Sequence, residues 1–146
     1  ARYLLPDGTV YTNTHVVPAA SRYNIWVDEE QIPGVGKALA NTAVSVTLTS
    51  LDGVPIVVER AMWWPGTPAE WMEAHNSPGA TAAGPRWALA EGEVGGPLEQ
   101  DTYILVANVS ARPGTIRVTL LFEDGTTAAR EFPVAAQSRF NVSVRD

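Results

Sequence analysis

At 146 residues, with 45% hydrophobic and 18% charged side chains, the chain is long enough for one good core or two small ones. It is too apolar for a disordered segment. A net charge of −6, with Lys37 as the only lysine and the arginines scattered, disfavours a nucleic-acid partner, because phosphate recognition needs a basic face. The lack of cysteine excludes disulfides and thiolate metal sites, and no apolar run approaches the ~18–20 residues of a membrane span.

The N-terminal stretch "RYLLPDGTVYT" reads as two short strands around an Asp7-Gly8 turn, where glycine tolerates a positive φ. "SRYNIWV" (21–27) continues as a strand, with Tyr23, Ile25 and Val27 on its inward face. Residues 29–41, "EEQIPGVGKALAN", break the rhythm and are expected to form a crossover loop. "TAVSVTLTS" resumes it, with Val44, Val46 and Leu48 alternating against Ser45, Thr47 and Thr49. After Asp52-Gly53, "VPIVVERAMWW" predicts one long strand.

Residues 65–86 are rich in Pro, Gly and Ala and are expected to be a linker or a long surface loop. Within them "TPAEWMEAHN" carries a Thr cap, an early Pro68 and early acids, which predicts one or two helical turns. "DTYILVANVS" is apolar on both faces, as a central strand would be. "TIRVTLLF" alternates Ile116, Val118 and Leu120 against Arg117 and Thr119, and an Asp124-Gly125 turn follows. "SRFNVSV" closes the chain with Phe140, Val142 and Val144 inward. Short strands with frequent turns define an all-β chain, expected to pack as an immunoglobulin-like antiparallel β-sandwich.

The chain also repeats itself. Residues 2–29 and 119–146 share about ten of twenty-eight positions, and every match sits 117 residues apart: Gly8 with Gly125, Ser21-Arg22 with Ser138-Arg139, Asn24 with Asn141. A turn, a Ser-Arg pair and an Asn in constant register point to duplication.

"RWALAEGEVGGPLEQDTYILVANVS", "VPIVVERAMWW" and "AHNSPGA" together resemble a tandem β-sandwich repeat of unknown function found in large secreted or cell-surface proteins of Actinobacteria and Chloroflexi. Such modules open on Trp-x-x-Ala-Glu-Gly, here Trp87 to Gly92, and close on the latter two segments. The resemblance spans nearly the whole chain. It implies that residues 1–83 are the C-terminal portion of one module, strands three to seven leading into the Pro/Gly-rich segment 65–86. It makes residues 84–146 the N-terminal portion of the next, strands one to five. The chain then begins in mid-module and is either complete or excised from a longer array. Its strands are either permuted into one sandwich or complemented between chains, with 65–86 as a hinge.

The functional expectation is a non-enzymatic extracellular building block of a bacterial fibre, stalk or surface layer, assembled by strand pairing with copies of itself or neighbouring repeats. The assembly residues expected are Arg22, Trp63, Trp64, Trp87, Arg139 and Phe140. The alternative is a glycan- or cell-wall-binding adhesion module, with Trp71 as the contact. No catalytic residues, bound cofactor or metal ligands are expected. Glu70, Glu73 and His75 are the only local mix of acids and imidazole, and they lack metal-site spacing. Asp28-Glu29-Glu30, with Glu91 and Asp101, is the one place where structural calcium is conceivable. No nucleophile motif, P-loop or dinucleotide fingerprint occurs.

Overall fold

A computed structural model of the chain describes residues 1–67 and 70–146, without the side chains of 64–67 and 70–73. Nine strands are described, and every pairing between them is antiparallel. They form one three-stranded sheet and three two-stranded ones. One short 3₁₀ turn, Val27–Glu29, is the only helical element among the described residues. The chain divides into two compact units: residues 1–47 with 90–146, and residues 48–89.

In the first unit, β1 (Arg2–Leu4) lies between β2 (Val10–Thr12) and β3 (Ser45–Thr47). Central placement buries it: Tyr3 and Leu4 are essentially inaccessible. Tyr3 and Leu5 pack with Ile32 and Leu39, flanked by Ala1, Tyr11, Ile25, Val27, Ala38 and Val44. The segment expected to be only a crossover loop therefore supplies half of this core. It can do so because a tight turn, closed by reciprocal Ile32–Gly36 backbone hydrogen bonds of 2.9 Å, satisfies its polar groups while Ile32 points inward.

The C-terminal part of the same unit is built from β6 (Tyr103–Asn108) paired with β9 (Ser138–Ser143), and β7 (Gly114–Leu121) paired with β8 (Thr127–Val134). Val134 and Val142 are buried, and Phe132 meets Phe140 at a centroid distance of 5.5 Å. The alternation expected in 115–121 is present: Ile116, Val118 and Leu120 are half-buried while their neighbours are exposed. Among the described residues β6 is not a central strand, because β9 is its only partner there. Its second apolar face, Tyr103 and Leu105, is consequently half exposed.

In the second unit, β4 (Glu59–Thr67) and β5 (Glu70–Pro78) form a hairpin. Two expectations are corrected here. In the "TPAEWMEAHN" stretch Thr67 and residues 70–76 are strand, not helix, while Pro68 and Ala69 lie outside the described residues: a single helical turn is costly to nucleate, whereas β4 offers a ready hydrogen-bonding partner. The long strand after Gly53 starts only at Glu59; residues 54–57 have no strand partner among the described residues, and Pro55 could not donate to one. The ladder slips on either side of Pro65, for the same missing N–H.

Candidate assembly surface

The two related segments share local geometry to a fine level, always 117 residues apart. In the first hairpin, Gly8 N–H donates to the Leu5 carbonyl (3.2 Å), Leu5 N–H to Thr9 (3.0 Å), and Thr9 N–H to Asp7 Oδ1 (2.8 Å). In the second, Gly125 N–H donates to Phe122 (2.9 Å), Phe122 N–H to Thr126 (3.0 Å), and Thr126 N–H to Asp124 Oδ1 (2.9 Å). The glycine φ values are +84° and +83°, the left-handed region that closes such a loop. Strand register matches too: Arg2↔Thr12, Tyr3↔Tyr11 and Leu4↔Val10 against Thr119↔Ala129, Leu120↔Ala128 and Leu121↔Thr127.

The correspondence continues into the following segment. Ala20 and Gln137 both hold a positive φ, 51° and 48°. Ser21 Oγ donates to the Pro18 carbonyl (2.7 Å) as Ser138 Oγ does to Ala135 (2.8 Å). Arg22 Nε donates to Asn24 Oδ1 at 3.1 Å, and Arg139 Nη2 to Asn141 Oδ1 at 2.5 Å. The His15–Tyr23 rings lie 5.4 Å apart at 43°, and Phe132–Phe140 5.5 Å apart at 47°.

Burial does not follow this symmetry. Leu4 is 1% exposed, but Leu121, its counterpart, is 79% exposed. Leu5 is buried where Phe122 is half exposed. The second hairpin lacks the cover that residues 32–44 and β3 give the first. The contrast reverses one strand later. Ser138, Arg139 and Val142 are buried beside β6, while Ser21 and Arg22 are exposed and Ile25 is half-buried. Residues 21–26 are not a strand, against expectation: among the described residues no ladder includes 21–25. Among the described residues, the backbone of 21–25 makes no backbone hydrogen bond.

Of the residues singled out from sequence, Arg22, Arg139 and Phe140 all fall on these two segments. Arg22 is exposed, Arg139 is buried with its N–H 3.4 Å from the Leu5 carbonyl, and Phe140 is half-buried. Trp63 and Trp87 belong to the second unit, 42% and 64% exposed, with Trp87 Nε1 donating to the Gly84 carbonyl at 3.0 Å. The side chains of Trp64, Trp71, Glu70 and Glu73 lie outside the described residues. No cluster of three or more metal-ligating side chains occurs among the described residues. Glu29 is engaged by Lys37 and Asp101 by Arg145.

A buried polar cluster beside β1 was not anticipated. Glu30 Oε1 accepts from Asn13 Nδ2 (2.7 Å) and lies 3.1 Å from His15 Nε2, an ion pair when the imidazole is protonated. His15 Nδ1 is 3.3 Å from the Tyr23 hydroxyl. The Tyr3 phenol is enclosed nearby; burial first, then the Glu30 carboxylate, pushes its pKa well above the ordinary phenol range. The 117-residue alignment held the signal: His15 and Tyr3 stand where the other copy has Phe132 and Leu120. Chemically the cluster is a clamp. It ties residues 13, 15, 23 and 30 together and so positions 21–25 from behind.

No family model, curated protein or solved structure matches the chain.

Proposed function

We propose that the protein is a non-enzymatic structural repeat, a building block of an extracellular bacterial fibre, stalk or surface layer, whose modules join by strand pairing. The observation that carries the reading is the reciprocal burial of two geometrically equivalent segments. Each copy is covered where the other is bare, as expected of parts of two successive modules of an immunoglobulin-like sandwich. The resemblance to secreted tandem repeats supports the same setting. Bare apolar positions beside unpaired strand edges favour association. The test is the association state at rising concentration, by sedimentation velocity and negative-stain microscopy. Filaments with a spacing set by one module are expected, and Leu121→Asp should abolish them without unfolding the chain. A chain that stays monomeric at high concentration, with protected amides throughout 118–146, refutes the reading.

A second reading, a glycan-binding adhesion module, draws on the exposure of Trp87 and Trp63. Glycan-array binding that is lost in Trp87→Ala or Trp71→Ala would favour it over assembly.

A further inference from the structure

We infer that Tyr23 is a redox-active phenol with His15 as the acceptor of its proton, and that a one-electron oxidant of the peroxidase class joins two copies of the chain there as a dityrosine. The inference goes beyond the strand-pairing reading and does not depend on it.

The geometry around the imidazole sets the direction of proton transfer. His15 Nε2 lies 3.1 Å from Glu30 Oε1, an ion-pair distance without the alignment of a hydrogen bond. A bare nitrogen lone pair so close to a carboxylate oxygen would be repelled, so the carboxylate selects the tautomer with its proton on Nε2. Nδ1 is then the acceptor, and the Tyr23 hydroxyl, 3.3 Å away, donates to it. Asn13 Nδ2 donates to the same Glu30 oxygen at 2.7 Å and holds the carboxylate in place. The side chains of His15 and Glu30 are only 13% and 9% exposed, whereas Tyr23 is 49% exposed. The base is shielded and the phenol is within reach of an oxidant.

The internal repeat shows that packing does not require these polar atoms. Phe132 and Phe140 stand at the positions of His15 and Tyr23, and their rings meet in nearly the same way. A buried imidazole and carboxylate cost desolvation that two phenylalanines avoid. One-electron oxidation asks two things of a protein: a phenol that the oxidant can approach, and a base within hydrogen-bond reach of its proton. Both are present. As the electron leaves, the O–H bond breaks and its proton passes to Nδ1, giving an imidazolium whose charge the Glu30 carboxylate offsets. Two such phenoxyl radicals join through the ring carbons ortho to oxygen. The hydrogen on each joined carbon then moves to its oxygen and restores the phenol, and His15 releases its proton to solvent. Overall two tyrosines lose two electrons and two protons, and hydrogen peroxide takes them up as two waters.

The test treats the full chain with a haem peroxidase and hydrogen peroxide, and reads dityrosine by fluorescence and peptide mapping. Tyr103 is the internal comparison: at 56% exposure it is at least as open as Tyr23, and it stands opposite Ser143 in the β6–β9 ladder. The linkage should map chiefly to Tyr23 with Tyr23. Its initial rate should fall about tenfold or more in Tyr23→Phe and in His15→Phe, and stay within about twofold in Tyr103→Phe. The first two variants copy the residues at 140 and 132, and circular dichroism checks that they fold. Added imidazole should partly rescue His15→Ala, which it would not do if the side chain served packing alone. Coupling that follows exposure, with Tyr103 ahead of Tyr23, or an unaltered rate in His15→Phe, overturns the inference. A chain that is monomeric before oxidation yet couples through Tyr23 leaves this inference standing and removes the strand-pairing reading. Filaments in which Tyr23 resists coupling do the reverse.

Discussion

The unequal burial of Leu4 and Leu121 can be turned into a quantitative test. Leu→Ala at a fully buried site removes about three carbon groups, worth roughly 0.8 kcal/mol each, or about 2.4 kcal/mol. Incomplete collapse around the cavity raises this to about 3 kcal/mol. Leu4, at 1% exposure and central in its sheet, should lose that amount. Leu121 holds the equivalent position but keeps only about a fifth of its surface from water, so the same substitution should cost about 0.5 kcal/mol. Urea unfolding of dilute protein, followed by circular dichroism and tryptophan fluorescence, reads both numbers, provided the m-values are unchanged. In assembled material Leu121→Ala should become the more damaging change, seen as a raised critical concentration. Equal losses of stability for the two variants in dilute solution would show that the second hairpin is covered after all, and the reciprocal-burial argument would fall.

Three further outcomes follow from the geometry. Asn108 donates to the carbonyls of Arg112 and Ala135 at 2.8 and 2.9 Å while accepting from the N–H and hydroxyl of Ser110, so Asn108→Ala should cost about 1–3 kcal/mol, checked by thermal unfolding. Because the Tyr3 phenol holds its proton more tightly in the native state than unfolded, its contribution is complete below about pH 10 and is lost as pH rises beyond; Tyr3→Phe should flatten that alkaline fall, and an unaltered fall in the variant contradicts the assignment. Turn hydrogen bonds, from Thr9 to Asp7, from Ser50 and Val54 to Asp52, and from Thr126 to Asp124, hold these carboxyls below the usual range. Their contribution is therefore present above about pH 4 and fades below it, a trend that acid titration of the Asp124→Asn chain should weaken.

Much of the architecture could be read from residue pattern, and the failures share a cause. Turns were legible because Asp-Gly chemistry is local: all three glycines, at 8, 53 and 125, hold positive φ. The alternation of Ile116, Val118 and Leu120 survived because β8 supplies a neighbour. Alternation alone could not tell whether a neighbour exists. Among the described residues, 21–25 and 54–57 carry strand patterns without a ladder, and β6 carries the composition of a central strand with one partner. Conversely, "TPAEWMEAHN" has helix-start chemistry, but β4 lies in reach and one turn of helix is a weak competitor. Of the expected site residues, Arg22, Arg139 and Phe140 could be singled out because their positions repeat. The His15–Glu30–Tyr3 cluster was missed because burial of polar groups depends on how the 27–44 segment folds over β1.

The pairing of β6 with β9 also has a consequence for synthesis. When β6 leaves the ribosome, β9 is still about thirty-five residues from completion. At ~5–20 residues per second that interval is on the order of 2–7 s. A strand pair needs only microseconds to form. Until β9 is complete, a nascent β6 therefore has Ile104 and Val106 without the strand that they meet in the finished fold. The order of translation thus leaves an apolar strand waiting seconds for its partner, and in that interval a newly made chain is open to strands of its neighbours.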